Sequence, residues 1–164
     1  MKVAITGHRP NKLGNDYDLT SPLIAKIRLE IIQILVDLSD QKTIKDGLKG
    51  VEGITGMALG IDTLFAMICI MLGIPFTAAV PCSNQDSMWP VKAKELYHKI
   101  LSRAATVYYV TIGNYTRACM QDRNEWMVDN CDVLIAVWDG SNGGTKNCID
   151  YAIKQGKKII YIKI

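Results

Sequence analysis

Four short segments of the chain hold residue types suited to gripping a small anion. Thr6-Gly7-His8-Arg9-Pro10 follows an apolar run; Arg9 can pair with a phosphate through two N–H groups, and His8 stands beside it. Gly56-Met57-Ala58-Leu59-Gly60-Ile61-Asp62 sets two glycines four residues apart, ahead of a long apolar stretch. Glycine lets backbone approach a ligand closely, and the free N–H groups of a helix start suit a phosphate. The plainer use of this segment is a tight turn with Asp62 or Thr63 as N-cap. Asp139-Gly140-Ser141-Asn142-Gly143-Gly144-Thr145 repeats the pattern, with Thr145 as the residue that would cap a plain turn. The fourth segment, Pro81 to Trp89, offers Gln85 as a hydrogen-bonding group and Trp89 as a surface for a base. A Trp directly before Pro90 is more often a packing residue. A loop arginine such as Arg9 is often simply solvated, and Arg117 and Arg123 are weaker candidates of the same sort.

A scaffold must bring these segments together, and the rest of the chain reads as one. Lys2 to Thr6 is a short strand, followed by a long polar loop from His8 to Ser21. Ser21-Pro22 supplies an N-cap and a first-turn proline for a helix running to about Leu38. Its Leu23, Ile24, Ile27, Ile31, Ile34 and Leu35 recur at helical spacing. A strand over Val51–Met57 and a helix over Gly60–Leu72, apolar almost all round, come next. Ile74–Val80 is a strand, Pro90–Arg103 a helix, Thr106–Val110 a strand and about Ala118–Asn130 a helix. Val133–Trp138 is a fifth strand, Lys146–Gln155 a helix with Gly156 as its C-cap, and Lys158–Lys163 a closing strand. This alternation predicts an α/β, Rossmann-like, doubly wound and mostly parallel sheet of about six strands, with helices on both faces, in one domain spanning 1–164. In such sheets ligands bind beyond the carboxyl ends of the strands, and all four segments fall there.

Composition narrows the function classes. The chain has 49% apolar and 21% charged residues, as a globular domain requires, and a formal charge of +3. That charge mildly favours an anionic ligand, while the scattered Lys and Arg give no basic stripe for a nucleic-acid backbone, so nucleic acid is not an expected partner. The stretch Leu64–Ile74 is too short to span a bilayer, no leader is apparent at the N-terminus, and no membrane association is expected. Cys69, Cys82, Cys119, Cys131 and Cys148 are odd in number and lack a close C-x-x-C pair. A reducing cytoplasm is the simplest setting, and neither a metal nor a cofactor is expected.

With these residues lined up, the chain resembles the SLOG superfamily, close to its YpsA-like branch, over nearly its whole length. The resemblance rests on Thr6-Gly7-His8-Arg9, Gly56-x-x-x-Gly60-x-Asp62, Pro81-Cys82-x-x-Gln85-x-x-x-Trp89, Arg123-Asn124-x-x-Met127-Val128-Asp129 and Asp139-Gly140-x-x-Gly143-Gly144-Thr145, in that order. It implies a pocket for nucleotides or their derivatives, including products of NAD or nucleoside metabolism. Members of the superfamily include sensors and ligand-binding modules, some of them in bacterial conflict systems and phage genomes. Others are phosphoribohydrolases that release cytokinin bases, and nucleoside deoxyribosyltransferases share a similar architecture; both cleave an N-glycosidic bond.

The sequence departs from those enzymes at the reacting group. In the deoxyribosyltransferases a nucleophilic Glu comes three residues after a Gly-Thr pair, and the matching position here is Cys148. Splitting a glycosidic bond needs a carboxylate to stabilise or capture the oxocarbenium-like centre. Glu125, Asp139, Asp122 and Asp62 are the substitutes on offer; Asp150 falls on another face of its helix. Cys148 lacks an adjacent histidine to activate it as a thiol nucleophile. The expected function is therefore capture of a nucleotide-derived small molecule, as a sensor or a sequestering protein, including sequestration of a signal in phage–host conflict. A lone domain would act by sequestration, by oligomerisation or through a partner. Cleavage of a nucleotide N-glycosidic bond is the alternative, and DNA binding, as in the DNA-processing A proteins of the same superfamily, a third. A homo-oligomer is expected from the apolar Gly60–Leu72 helix and from the helix opening with Leu23, Ile24 and Ile27.

Overall fold

Ser21 opens the first long helix as its position before Pro22 predicts: its Oγ accepts from the Ile24 N–H at 3.3 Å. The computed structural model describes residues 1–40, 47–116 and 118–164, so Arg117 lies outside the described residues. The elements run β1 (Lys2–Gly7), α1 (Pro22–Leu38), β2 (Glu52–Thr55), α2 (Ile61–Met71), β3 (Phe76–Val80), α3 (Val91–Leu101), β4 (Thr106–Tyr109), α4 (Cys119–Asp129), β5 (Val133–Trp138), α5 (Gly144–Lys154) and β6 (Lys158–Lys163). A single 3₁₀ turn, Pro10–Lys12, interrupts the loop after β1.

The six strands form one parallel sheet in the order β4-β3-β2-β1-β5-β6. This is the doubly wound, Rossmann-like α/β arrangement that the alternation of strands and helices predicts. β1 lies between β2 and β5, in register from Val3 opposite Val133 to Gly7 opposite Val137. The chain moves outward from β1 first on one side and then on the other, so a topological switch point opens between the carboxyl ends of β1 and β5.

One face of the sheet is covered by α1, α2 and α3 and the other by α4 and α5. The first face holds the larger core, built on Val3, Ile5, Ile135 and Val137 from the strands and on Ile27, Ile31, Leu64 and Phe65 from the helices. On the second face Ala4, Ala79, Leu134, Met127, Cys148 and Ala152 meet; the small strand residues let α4 and α5 sit close. α2 is apolar almost all round because most of it is packed: eight of its eleven residues are buried, against β1, β2, α1 and α3, while Met67 and Met71 are exposed. Ile24 and Ile27 of α1 are fully buried as well. Most of the apolarity that suggested an oligomer is thus used inside the domain, while Leu23, Met67 and Met71 remain exposed.

Two local readings need correction. The N-cap of α2 is Gly60, at φ +96°, and that of α5 is Gly143; neither Asp62, Thr63 nor Thr145 caps a helix. Gly60 is required by a close approach, since a Cβ there would stand 2.5 Å from the His8 carbonyl oxygen. Among the described residues no helix is long and apolar enough to cross a membrane, and all five cysteines are buried and unbridged.

Candidate functional site

A cleft of about 240 Å³ opens at the switch point. Its walls come from the end of β1 and the loop beyond it (Thr6 to Arg9, Asn11, Lys12), from Ala58 and Asp62, from Arg123 and Asn124 of α4, and from Asn142 to Thr145. The loop after β1 is held against α2 by backbone: the Ile61 N–H donates to the His8 carbonyl at 3.3 Å, where only Gly60 leaves room. The 3₁₀ turn then folds Lys12 back so that its Nζ donates to Ser141 Oγ, joining the first loop to the last.

Between the same loops, His8 Nε2 is hydrogen-bonded to Asp139 Oδ1 at 2.8 Å. The Asp139 backbone N–H lies against the same nitrogen at 3.2 Å, so Nε2 meets Asp139 through both its carboxylate and its backbone. Asp139 also accepts from the Ser141 N–H at 2.8 Å. Donation by the Ser141 hydroxyl and N–H, and then by His8, holds the Asp139 carboxyl well below its ordinary value. The carboxylate is committed to the loop and does not line the cleft.

α5 begins at the opposite wall. Gly143 and Gly144 have open space where a Cβ would stand, so nothing intervenes between the cleft and the first-turn N–H groups of the helix. Those N–H groups have no acceptor inside the helix and carry its positive dipole end.

The third wall is a buried ion pair. Arg123 Nη1 donates to Asp62 Oδ2 at 3.2 Å, with side chains 7% and 8% exposed, and the Ala58 N–H donates to the same oxygen at 3.2 Å. Burial pushes the Asp62 carboxyl up, against the opposing pull of the Arg123 charge and the Ala58 N–H. Arg123 Nε is buried without a hydrogen-bond partner. The guanidinium fits because residue 56 is glycine: a Cβ there would lie 1.4 Å from Nη1. Gln85 holds that backbone, donating from Nε2 to the Met57 carbonyl at 2.6 Å.

The sequence-derived candidates thus divide. Gly7, His8, Arg9, Asp62, Gly143, Gly144 and Thr145 line one cleft, together with Arg123. Gly56 and Gln85 act behind it through Arg123, Gly60 acts through the His8 backbone, and Asp139 acts through His8. Trp89 lies elsewhere, with its ring edge-on to Tyr97 at 5.2 Å and packed on the main core. Glu125 accepts from Gln121 Nε2 at 2.9 Å and is not part of the cleft. Asp150 is exposed and pairs with Lys146 along the helix. Cys148 is fully buried in the second core, and burial pushes its thiol up to about 12, which removes it as a nucleophile. Asn11, Lys12, Asn124 and Asn142 also line the cleft. Sequence reasoning met Asn124 and Asn142 only as members of their motifs and passed over Asn11 and Lys12, although Lys12 stands three residues after Arg9. Among the described residues no group of three or more His, Cys, Asp or Glu could hold a metal ion.

Comparison with known proteins agrees with this architecture. The SPbeta prophage-derived protein YoqJ of Bacillus subtilis (strain 168) is 29% identical over 153 residues, which span 83% of this chain and 85% of that protein. A UPF0398 protein of Bacillus cereus is 26% identical over 163 residues, spanning 94% of this chain and 84% of its own. Among solved structures, the DNA processing protein A of Helicobacter pylori, described for its single-stranded DNA binding mode, superposes with a TM-score of 0.68 at 19% identity. That match covers 98% of this chain and 64% of the Helicobacter protein. DNA processing protein A of Streptococcus pneumoniae superposes at 0.63 with 16% identity, over 99% of this chain and half of the other. The family model YpsA, whose description is YspA SLOG family, matches residues 3–163, and the chain belongs to that family.

Proposed function

We propose that the cleft captures a nucleotide or nucleotide-derived small molecule and that the chain acts as a sensor or sequestering protein for it. The observation that carries this reading is the open, glycine-lined start of α5, facing Arg9, Lys12 and Arg123 across one cleft. Backbone N–H groups at a helix start and convergent cations make a phosphate-sized anion site, and the asparagines beside them suit sugar hydroxyls. Asp62 is the one carboxylate among the described residues lining the cleft, and it is committed to Arg123 and to the Ala58 N–H. That commitment favours holding a ligand over splitting its glycosidic bond, for which Glu125 and Asp139 stand outside the cleft. Single-stranded DNA, named for the Helicobacter protein, would need a longer basic track than these three cations supply. The prophage origin of the Bacillus subtilis relative is in keeping with a sequestering role in phage–host conflict.

Calorimetric titration with adenosine monophosphate and with ADP-ribose tests the reading, followed by chromatography of the ligand after incubation. Binding of a nucleotide that is recovered intact, and that Gly144→Asp abolishes by placing a carboxylate among the donors, is the expected result. Equal binding by Gly144→Asp, or no binding of either nucleotide by the wild type, refutes it. Recovery of free base would reassign the chain as a glycosidase.

A further inference from the structure

Cys69, Cys131 and Cys148 pack within the two cores, whereas Cys82 and Cys119 belong to neither. These two lie at the carboxyl end of the sheet, on loops that are zipped together. The Thr111 N–H donates to the Pro81 carbonyl at 3.2 Å, the Ser83 N–H to the Gly113 carbonyl at 2.9 Å and the Tyr115 N–H to Asn84 Oδ1 at 2.6 Å. Cys82 sits inside that zipper, and the second loop leads into Cys119, the first residue of α4. Cys119 Sγ donates to the Thr116 carbonyl at 3.0 Å, and the Cys82 thiol is within hydrogen-bonding reach of the Cys119 thiol. Burial and this neighbouring thiol push the Cys82 thiol up, and the Arg123 charge opposes them. Both side chains are buried, but Ser83 and Ala118 beside them are exposed. Opening of two surface loops, without the core, therefore admits a water-sized oxidant.

The geometry points to a thiol-oxidation site: Cys82 and Cys119 close into a reversible disulfide when the chain meets hydrogen peroxide, and the bond acts on the cleft through α4. One thiol gives two electrons to the peroxide and becomes a sulfenic acid, releasing one water. The second thiol attacks that sulfur; the S–S bond forms as the S–O bond breaks, and its proton leaves with the hydroxide as a second water. The sulfurs of a disulfide lie closer than those of two hydrogen-bonded thiols, so closure draws the first turn of α4 toward the loop after β3. Met120, Arg123 and Asn124, in the first two turns of that helix, line the cleft. Gln85, three residues after Cys82, holds the Met57 carbonyl behind Arg123. Oxidation thereby displaces Arg123 from the place where it faces the start of α5.

Peroxide treatment of the full chain, followed by non-reducing peptide mapping by mass spectrometry, tests the site. The expected product is one crosslinked pair of peptides carrying Cys82 and Cys119, lighter by two hydrogens and reverted by dithiothreitol. The effect on the cleft rests on the nucleotide-binding function proposed above, and is read separately by titrating adenosine monophosphate into reduced and oxidised chain. Affinity of the oxidised chain is lower by about tenfold, an ordinary size for coupling between two sites. Cys82→Ser, which cannot form the crosslink, keeps its affinity through the same treatment. A chain that peroxide leaves without the crosslink, or that joins Cys131 to Cys148 instead, overturns the inference whatever its affinity for the nucleotide. Equal affinity of the two forms, or an equal loss in Cys82→Ser, overturns the action on the cleft. Absence of binding by the reduced chain refutes the nucleotide function, and the crosslink still decides the disulfide.

Discussion

Gly56 gives the most demanding test of how the cleft is built. Replacing it by alanine adds one methyl group at a position whose backbone is outside the left-handed region, so alanine itself is not strained there. All of the cost comes from what the methyl meets: the Arg123 guanidinium, at 1.4 Å from Nη1 and 2.2 Å from Cζ. The guanidinium must leave, and its open direction is the cleft that it already lines. Asp62 then loses its counter-charge while remaining buried. Breaking one side of a buried pair costs about 3–5 kcal/mol, and the lower end applies because the displaced cation is rehydrated in the cleft. About 3 kcal/mol out of a total stability of about 5–15 is a large fraction, and corresponds to a melting temperature lower by about 6–12 °C. The assay is urea unfolding followed by circular dichroism, on Gly56→Ala, Arg123→Met and the double variant. Arg123→Met alone leaves Asp62 equally unpaired and costs about the same. The double variant has no clash left to relieve, so its cost stays near that of Arg123→Met, with a coupling of about 2–3 kcal/mol. Additive costs, or a Gly56→Ala variant within about 0.5 kcal/mol of wild type, refute the reasoning.

Asp139 supplies an acid-side signature. Its carboxyl is held below the ordinary value of 3.8 in the folded chain, so its contribution is fully present above that value and is lost as pH falls through the depressed one. Stability measured from pH 5 downward should therefore fall less steeply in Asp139→Asn, and an unchanged slope would show that the loop does not hold the carboxylate. Trp89→Ala removes a ring half-buried against Tyr97, which predicts a loss of about 2 kcal/mol in urea unfolding with nucleotide affinity unchanged. A matching loss of affinity in the folded variant would place Trp89 in the site after all.

The strands and helices were legible because each depends on local periodicity. Ser21-Pro22 announces α1, and the apolar run after Gly60 announces a largely buried helix. Half of the cleft was legible too, since Thr6 to Arg9 and Gly143 to Thr145 end the two strands that flank a switch point. The roles of Gly56, Gln85 and Trp89 were not. A glycine that admits a ligand and one that admits an arginine look alike in a sequence; what separates them is a helix sixty residues further on. Gln85 and Trp89 are types that contact bases, yet one holds a backbone turn and the other packs a core, and only the tertiary neighbours decide this. Lys12 escaped notice because its reach depends on the 3₁₀ turn at Pro10.

The pairing of His8 with Asp139 joins residues 131 positions apart, and β1 cannot meet β5 until both exist. At the usual pace of synthesis, about 5–20 residues per second, β1 waits roughly 7–26 s for the strand that completes its second edge. Through that interval the first loop has its arginine but faces no α5, so an emerging chain offers no anion site. Non-local pairing of this kind also makes the sheet slow to close after dilution from denaturant. The two halves of the cleft are in this sense a latch on the fold: a molecule that binds between them selects finished chains and, by mass action, keeps them closed.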